Sequence, residues 1–242
     1  HPQPAHRHSC PHPSTPNMAK CMYMPSTTLV LLVFLVALTT SSRASQPPAC
    51  VSDLAVTGEV IDSGRNGITA AALGLIDSDG WLDAVAAFDD EGTISWYKNT
   101  DGAGTFAPPV NVVTGITSIR KVAVVDVDDD GWNDVVFGQD SSSSGFIAWA
   151  RSTDGSGAFA APVTITACNG FDDFVLGDVD NDGDDDLVAA CPSSGDVFFV
   201  ERLTGGSFAS AITITDDFNG PSSVGLGDFN QDGALDVVFS AA

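Results

Sequence analysis

Apolar residues fall in short bursts along this chain, and acidic loops separate them. The runs "ITAAALGL", "LDAVAAF", "RKVAVVDV" and "DLVAAC" are mostly apolar and only six to eight residues long. Runs of that length, bounded by Gly and Asp, read as short and mostly apolar strands. Longer segments lie between them. "TISWYKNTDGAGTFAPPVNVV" (residues 93–113) matches "FIAWARSTDGSGAFAAPVTIT" (146–166), and "VFFVERLTGGSFASAITIT" (197–215) is a shorter third copy. Each reads as two strands around a Gly-rich turn. In the first, Ile94, Trp96 and Lys98 alternate with Thr93, Ser95 and Tyr97, which predicts a strand with two unlike faces. Trp96 and Trp149 correspond, as do Phe106 and Phe159, and the third copy places Phe199 and Phe208 there. Trp96 and Trp149 are expected in the core.

The pattern is periodic. "GLIDSDGWLDAV" begins at Gly74, "VDVDDDGWNDVV" at Val125, "GDVDNDGDDDLV" at Gly177 and "GDFNQDGALDVV" at Gly227. Their equivalent residues Asp77, Asp128, Asp180 and Asn230 are spaced 51, 52 and 50 apart. About four strands fit in each period. A small twisted sheet cannot bury both faces alone, so such units stack on their neighbours. The expectation is an all-β chain, a β-propeller of four-stranded blades with about four repeats over residues 54–242. The repeat of a Ca²⁺-binding β-helix is much shorter than this period. The segment "LAVTGEVIDSG" resembles "FAPPVNVVTGITS", an outer strand without the rest of its blade, and no hairpin follows the fourth loop. The array therefore reads as a piece of a larger propeller.

Each acidic loop has nine positions. The third carries Asp178, Asp180, Asp182 and Asp186 at positions one, three, five and nine, with Gly183 at six. Hard divalent cations take six to eight oxygen ligands. Four carboxylates crowded without a cation repel one another. The residue at seven can add a backbone carbonyl. An EF-hand begins the same way but needs a Glu at twelve and flanking helices. Position twelve here is Ala86, Phe137, Ala189 or Phe239, and strands flank every copy.

The pattern D-x-D-x-D-G-x-x-D in a propeller-length repeat resembles the FG-GAP/VCBS family, related to the N-terminal propeller of integrin α chains. The turns "GAGTFAPP" and "GSGAFAAP" resemble it too. The resemblance implies Ca²⁺ held between the first two strands of a blade, and roles in adhesion or ligand binding. Carried onto this sequence, it implies Asp126, Asp128, Asp130, Asp134 and the Trp132 carbonyl in the second loop. In the third it implies Asp178, Asp180, Asp182, Asp186 and the Asp184 carbonyl, and in the fourth Asp228, Asn230, Asp232 and Asp236. The first loop departs, with Leu75 at position one, leaving Asp77, Asp79 and Asp83. That loop is expected to bind most weakly.

Composition narrows the function. The formal charge of −23 disfavours nucleic acid and anionic membranes as partners. Residues 1–17 precede any methionine and read as an upstream remnant. Residues 18–44 read as a secretory signal peptide, with an apolar run at Leu29–Leu38 and small residues before a cut after Ala44. Residues 45–53 form a short linker. No other apolar run of that kind occurs, so a secreted product without a membrane span is expected. Cleavage would remove all four histidines (His1, His6, His8 and His12) and with them histidine-based acid–base chemistry. Of the cysteines that would remain, Cys168 and Cys191 are the expected disulfide, with Cys50 left over. The expected product is a secreted, Ca²⁺-stabilised propeller that binds an extracellular protein or carbohydrate ligand and is not an enzyme. The alternative is a propeller portion of a secreted carbohydrate-active enzyme, with Asp172-Asp173 or Asp89-Asp90 as acid and base.

Overall fold

The computed structural model describes residues 31–35, 57–215 and 219–241. Among these, every regular element is a β-strand. Three sheets have four antiparallel strands joined in chain order. The first holds β3 (Ile68–Gly74), β4 (Asp83–Phe88), β5 (Thr93–Tyr97) and β6 (Val110–Thr114). The second holds β7 (Ile119–Val125), β8 (Asp134–Gln139), β9 (Phe146–Ala150) and β10 (Val163–Ala167). The third holds β11 (Asp173–Gly177), β12 (Asp186–Cys191), β13 (Asp196–Val200) and β16 (Ile212–Thr215). Between β13 and β16, β14 (Arg202–Leu203) and β15 (Ser207–Phe208) form a small hairpin. The single bridges Asn99–Phe106 and Ser152–Phe159 stand in its place in the first two sheets. A fourth sheet pairs β17 (Ser223–Gly227) with β18 (Asp236–Ser240).

Before them, β1 (Leu31–Leu35) pairs antiparallel with β2 (Thr57–Asp62). β1 comes from the apolar run read as a signal-peptide core. The rest of residues 18–44, the remnant 1–17, the linker 45–53 and Cys50 lie outside the described residues. No helix among the described residues is long and apolar enough to cross a membrane.

The core lies between sheets. Val85, Ile94 and Val113 of the first sheet meet Val122, Val135 and Phe137 of the second. Ile147 and Trp149 of the second meet Phe174, Leu187 and Phe198 of the third. Burial of a side chain such as Phe137 contributes about 1.5–3 kcal/mol. The two faces of β5 are unlike, and both are buried. Thr93, Ser95 and Tyr97 are buried along with Ile94 and Trp96, because sheet one is covered on both faces. The polar side chains on the second face are satisfied by Arg65. Its Nη1 donates to Ser95 Oγ at 2.7 Å, its guanidinium also binds Thr93, and it lies 4.0 Å over the Phe88 ring.

The first strands of successive sheets lie side by side, β3 against β7, β7 against β11 and β11 against β17. Polar contacts cross these junctions. Lys121 on β7 pairs with Asp173 on β11 at 2.6 Å, and Asp173 accepts Ser223 Oγ at 2.9 Å and Val224 N–H at 3.1 Å from β17. Asp89 accepts the Ile119 N–H at 3.2 Å. The acidic pairs raised above as acid and base thus each contribute one residue to joining sheets. Cys168 and Cys191 form the expected disulfide, with Cα atoms 5.3 Å apart. It ties the residue after β10 to the end of β12, so it clamps sheet two to sheet three.

Candidate metal centre

Each nine-residue acidic loop joins the first strand of a sheet to the second: 75–83, 126–134, 178–186 and 228–236. The backbone is built to curl carboxylates inward. Gly80, Gly131, Gly183 and Gly233 at position six have φ of 83°, 89°, 100° and 92°. A side chain rarely tolerates that region, so glycine is required there. Position four is left-handed as well in the last three loops, at Asp129 (57°), Asn181 (63°) and Gln231 (63°). Among the described non-glycine residues Ser78, its counterpart in loop one, does not share that conformation.

Carboxylates fasten the turn by accepting backbone N–H groups. In all four loops the side chain at five accepts the N–H at seven: Asp79 from Trp81, Asp130 from Trp132, Asp182 from Asp184 and Asp232 from Ala234, at 2.9–3.0 Å. In loops two to four the aspartate at one accepts from positions five and six. Leu75 cannot do this in loop one. It is 42% exposed, and its carbonyl accepts Asn133 Nδ2 from loop two at 2.8 Å.

Position nine anchors the first three loops to their sheets. Asp83, Asp134 and Asp186 are fully buried. Asp134 accepts the Val127 N–H at 2.9 Å and the Ser152 N–H at 2.7 Å, one on each oxygen. Asp83 holds Ile76 and Asn99 in the same way, and Asp186 holds Val179 and Arg202. Burial pushes the Asp134 carboxyl up to about 7 and raises those of Asp83 and Asp186. A nearby cation would favour the charged form of all three.

The loops differ in what they gather. Loop two brings Asp126, Asp128 and Asp134 together, with one oxygen of each within 4.8 Å of the others. Loop three does the same with Asp178, Asp180 and Asp186, and a second cluster adds Asp182 and Glu201 around Asp180. No such group forms from loops one and four among the described residues. In loop four the Asn230 Nδ2 donates to Asp236 at 3.4 Å, so those two predicted ligands face each other, while Asp228 and Asp232 cap backbone N–H groups.

The residue directly after the third strand separates the loops further. In sheet one it is Lys98, whose ammonium binds Asp77 and lies 3.0 Å from Asp79. In sheet two it is Arg151, which binds Asp128 and reaches Asp130 at 2.8 Å. In sheet three it is Glu201, which adds a carboxylate to Asp180 and Asp182. Sequence reasoning missed these three residues. The aligned hairpins did place them at one position, and that was the available signal.

One oxygen in loop two stands out. The Asp128 side chain is about nine-tenths buried, and while its Oδ2 pairs with Arg151 its Oδ1 has no hydrogen-bond partner. A buried acceptor without a donor costs about 1–3 kcal/mol. The donor set around it is all oxygen, which suits a hard divalent cation. The tryptophans frame the loops. Trp96 and Trp149 are buried as expected. Trp96 packs on Gly157 and Trp149 on Gly206, each in the hairpin of the next sheet, where a Cβ would come within 1.8 Å and 2.9 Å of the ring. Trp81 and Trp132, at position seven, pack on Gly102 and Gly155 of their own hairpins.

A known structure shares the fold, and two others align more weakly. An Agrocybe aegerita lectin, described by its recognition of non-reducing terminal N-acetylglucosamine, aligns over 77% of this chain and 52% of its own, at TM-score 0.55 and 20% identity. An auxiliary nutrient binding protein from Bacteroides ovatus aligns at TM-score 0.47 and 12% identity, over 70% of this chain and 45% of its own. The exotype rhamnogalacturonan lyase YesX aligns at TM-score 0.47 and 15% identity, over 86% and 42%. This chain thus spans about half the length of the lectin and less of the other two. No curated protein matches it significantly. The FG-GAP-like repeat matches three times, at residues 76–137, 126–189 and 178–239, each match running from one acidic loop through the next. With the same loop opening each sheet, the chain belongs to the FG-GAP-like repeat family.

Proposed function

We propose that the stacked sheets are blades of a β-propeller whose acidic loops hold structural Ca²⁺, and that the domain binds an extracellular protein or carbohydrate rather than catalysing a reaction. The observation that carries the cation reading is the buried, unpartnered Asp128 Oδ1 among the oxygens of loop two. Asp126, Asp128, Asp130, Asp134 and the Trp132 carbonyl would hold the ion there. Asp178, Asp180, Asp182, Asp186 and the Asp184 carbonyl would hold it in loop three. The ion would supply the positive charge that lets clustered carboxylates ionise together. The protein's part is to orient them through the backbone N–H bonds described above. Lys98 already supplies a cation to loop one, which also has Leu75 in place of a ligand. Arg151 takes Asp128 Oδ2 and Asp130 in loop two but leaves Asp128 Oδ1 without a partner.

The binding role draws on the shared fold with a lectin that recognises a terminal sugar. Glycans are therefore the first ligand class to test. The full chain applied to a glycan array in Ca²⁺ and in EDTA should bind a defined set of glycans in Ca²⁺ and lose them in EDTA. Array binding that EDTA leaves unchanged would separate ligand recognition from the cation loops. Turnover of an array polysaccharide would overturn the non-catalytic reading.

A further inference from the structure

The acidic loops of neighbouring sheets are joined by one buried arginine. Arg202 begins β14, and its side chain is only 5% exposed. Its backbone N–H donates to Asp186 Oδ1 at 2.8 Å, at position nine of loop three. Its Nη2 donates to Asp184 Oδ1 at 2.8 Å, at position seven of the same loop. Its Nη1 crosses to loop two, donating to the Val127 carbonyl and to Asp129 Oδ2, both at 2.8 Å. Val127 in turn donates its own N–H to Asp134, a proposed ligand of loop two. Asp129 is the left-handed residue at position four. The guanidinium is therefore held by two loops at once, and through residues next to the proposed ligands of each.

The counterparts of Arg202 do not reach across. Asn99 and Ser152 donate the same backbone bond, to Asp83 and Asp134, but their side chains are short and uncharged. Asn99 Nδ2 bonds to the Leu82 carbonyl of its own sheet, and Ser152 Oγ has no partner. Among the described residues, a charged side chain joins two loops only between sheets two and three, while at the first junction the uncharged Asn133 Nδ2 donates to the Leu75 carbonyl. A desolvated guanidinium must keep its acceptors, since losing one leaves a buried charge uncompensated. If an ion entering loop three draws the Asp184 carbonyl inward, the Asp184 side chain carries the guanidinium with it. Val127 and Asp129 must then follow.

We propose that Arg202 is a positioning residue that couples cation binding at loop two to cation binding at loop three. The inference rests on the reading of these loops as cation sites. Coupling between two sites is reciprocal, so either loop can report it.

Tb³⁺ is the probe, because Trp132 in loop two can sensitise its emission. W81F in the full chain removes the tryptophan of loop one. In that parent, D180A removes a ligand of loop three outright, and Tb³⁺ affinity at loop two should fall about fivefold, the low end of typical coupling. In R202M the same D180A change should leave the loop-two affinity unaltered. D129G removes one acceptor at a backbone angle that suits glycine, and should shrink the factor in the same direction. It keeps the test available if R202M does not fold. A factor near fivefold that persists in both variants overturns the inference, as does a factor of one in the parent. Both outcomes leave the loops as cation sites. A parent that binds neither Tb³⁺ nor Ca²⁺ overturns the inference and the cation reading together.

Discussion

Lys98 occupies in the first sheet the place that Glu201 occupies in the third, and the two present opposite charge to equivalent pairs of aspartates. The loops share a backbone plan but not a charge plan. Loop one carries its own ammonium and has Leu75 where a ligand is needed. Loop three has one carboxylate more than the repeat pattern requires.

This asymmetry can be reversed. The double change L75D/K98E should convert loop one into a copy of loop three and add one bound Ca²⁺ per chain by isothermal titration calorimetry. The single change E201K puts an ammonium beside Asp180 and Asp182 and should weaken loop three on the order of tenfold or more. Unchanged stoichiometry in the first variant and unchanged affinity in the second would show that this position does not govern binding.

Position nine matters for folding as well as for binding. Asp134 uses both oxygens on backbone N–H groups, and an asparagine can accept only one of them. D134N should cost about 1–3 kcal/mol. For a chain of this size that is roughly 2–12 °C of melting temperature. The loss should be present in EDTA too, whereas D130N, at a loop position that faces Arg151, should matter little without Ca²⁺.

Much of this arrangement was legible in the sequence. The spacing of Asp77, Asp128, Asp180 and Asn230 located the loops, and the apolar runs located the strands beside them. The Cys168–Cys191 pair was legible because the chain has few other partners to offer. The roles of Lys98, Arg151 and Glu201 were not. They sit about twenty residues from the carboxylates they face, and only the pairing of the third strand with the second brings them near. Arg202 was hidden for the same reason, since it acts across a junction between sheets. The alternation in β5 gave its two unlike faces but not their burial, since Arg65, Ile61 and Phe106 come from outside that strand to cover the polar one.

Tyr97 offers a test of that double burial. It is 1% exposed, and its hydroxyl donates to Asp62 Oδ2 at 3.0 Å. Burial pushes the phenol up to about 12. The ordinary value is about 10. Between these values the unfolded chain loses a proton that the folded chain keeps, so stability should be steady below about pH 10 and fall toward pH 12. The difference in tyrosinate absorbance between the parent and Y97F isolates this residue from Tyr23. A midpoint near 10 in the folded protein would mean that Tyr97 is wet.

The disulfide should contribute independently of the cations. Closing the loop between Cys168 and Cys191 is worth roughly 3 kcal/mol in the chain-entropy model. C168S/C191S should therefore melt about 6–12 °C lower, with the same increment in Ca²⁺ and in EDTA. An increment that vanishes in EDTA would mean that the clamp and the loops act as one unit.

The most direct test of the central claim is thermal unfolding of the full chain in millimolar Ca²⁺ and in EDTA. A site whose ligand is tenfold above its Kd adds about 1.4 kcal/mol. Loops two and three together should then raise the melting temperature by roughly 6–12 °C. The D128A/D180A double variant should melt at one temperature in both conditions. A parent melting temperature that EDTA leaves unchanged would contradict the claim that these loops hold the fold through bound cations.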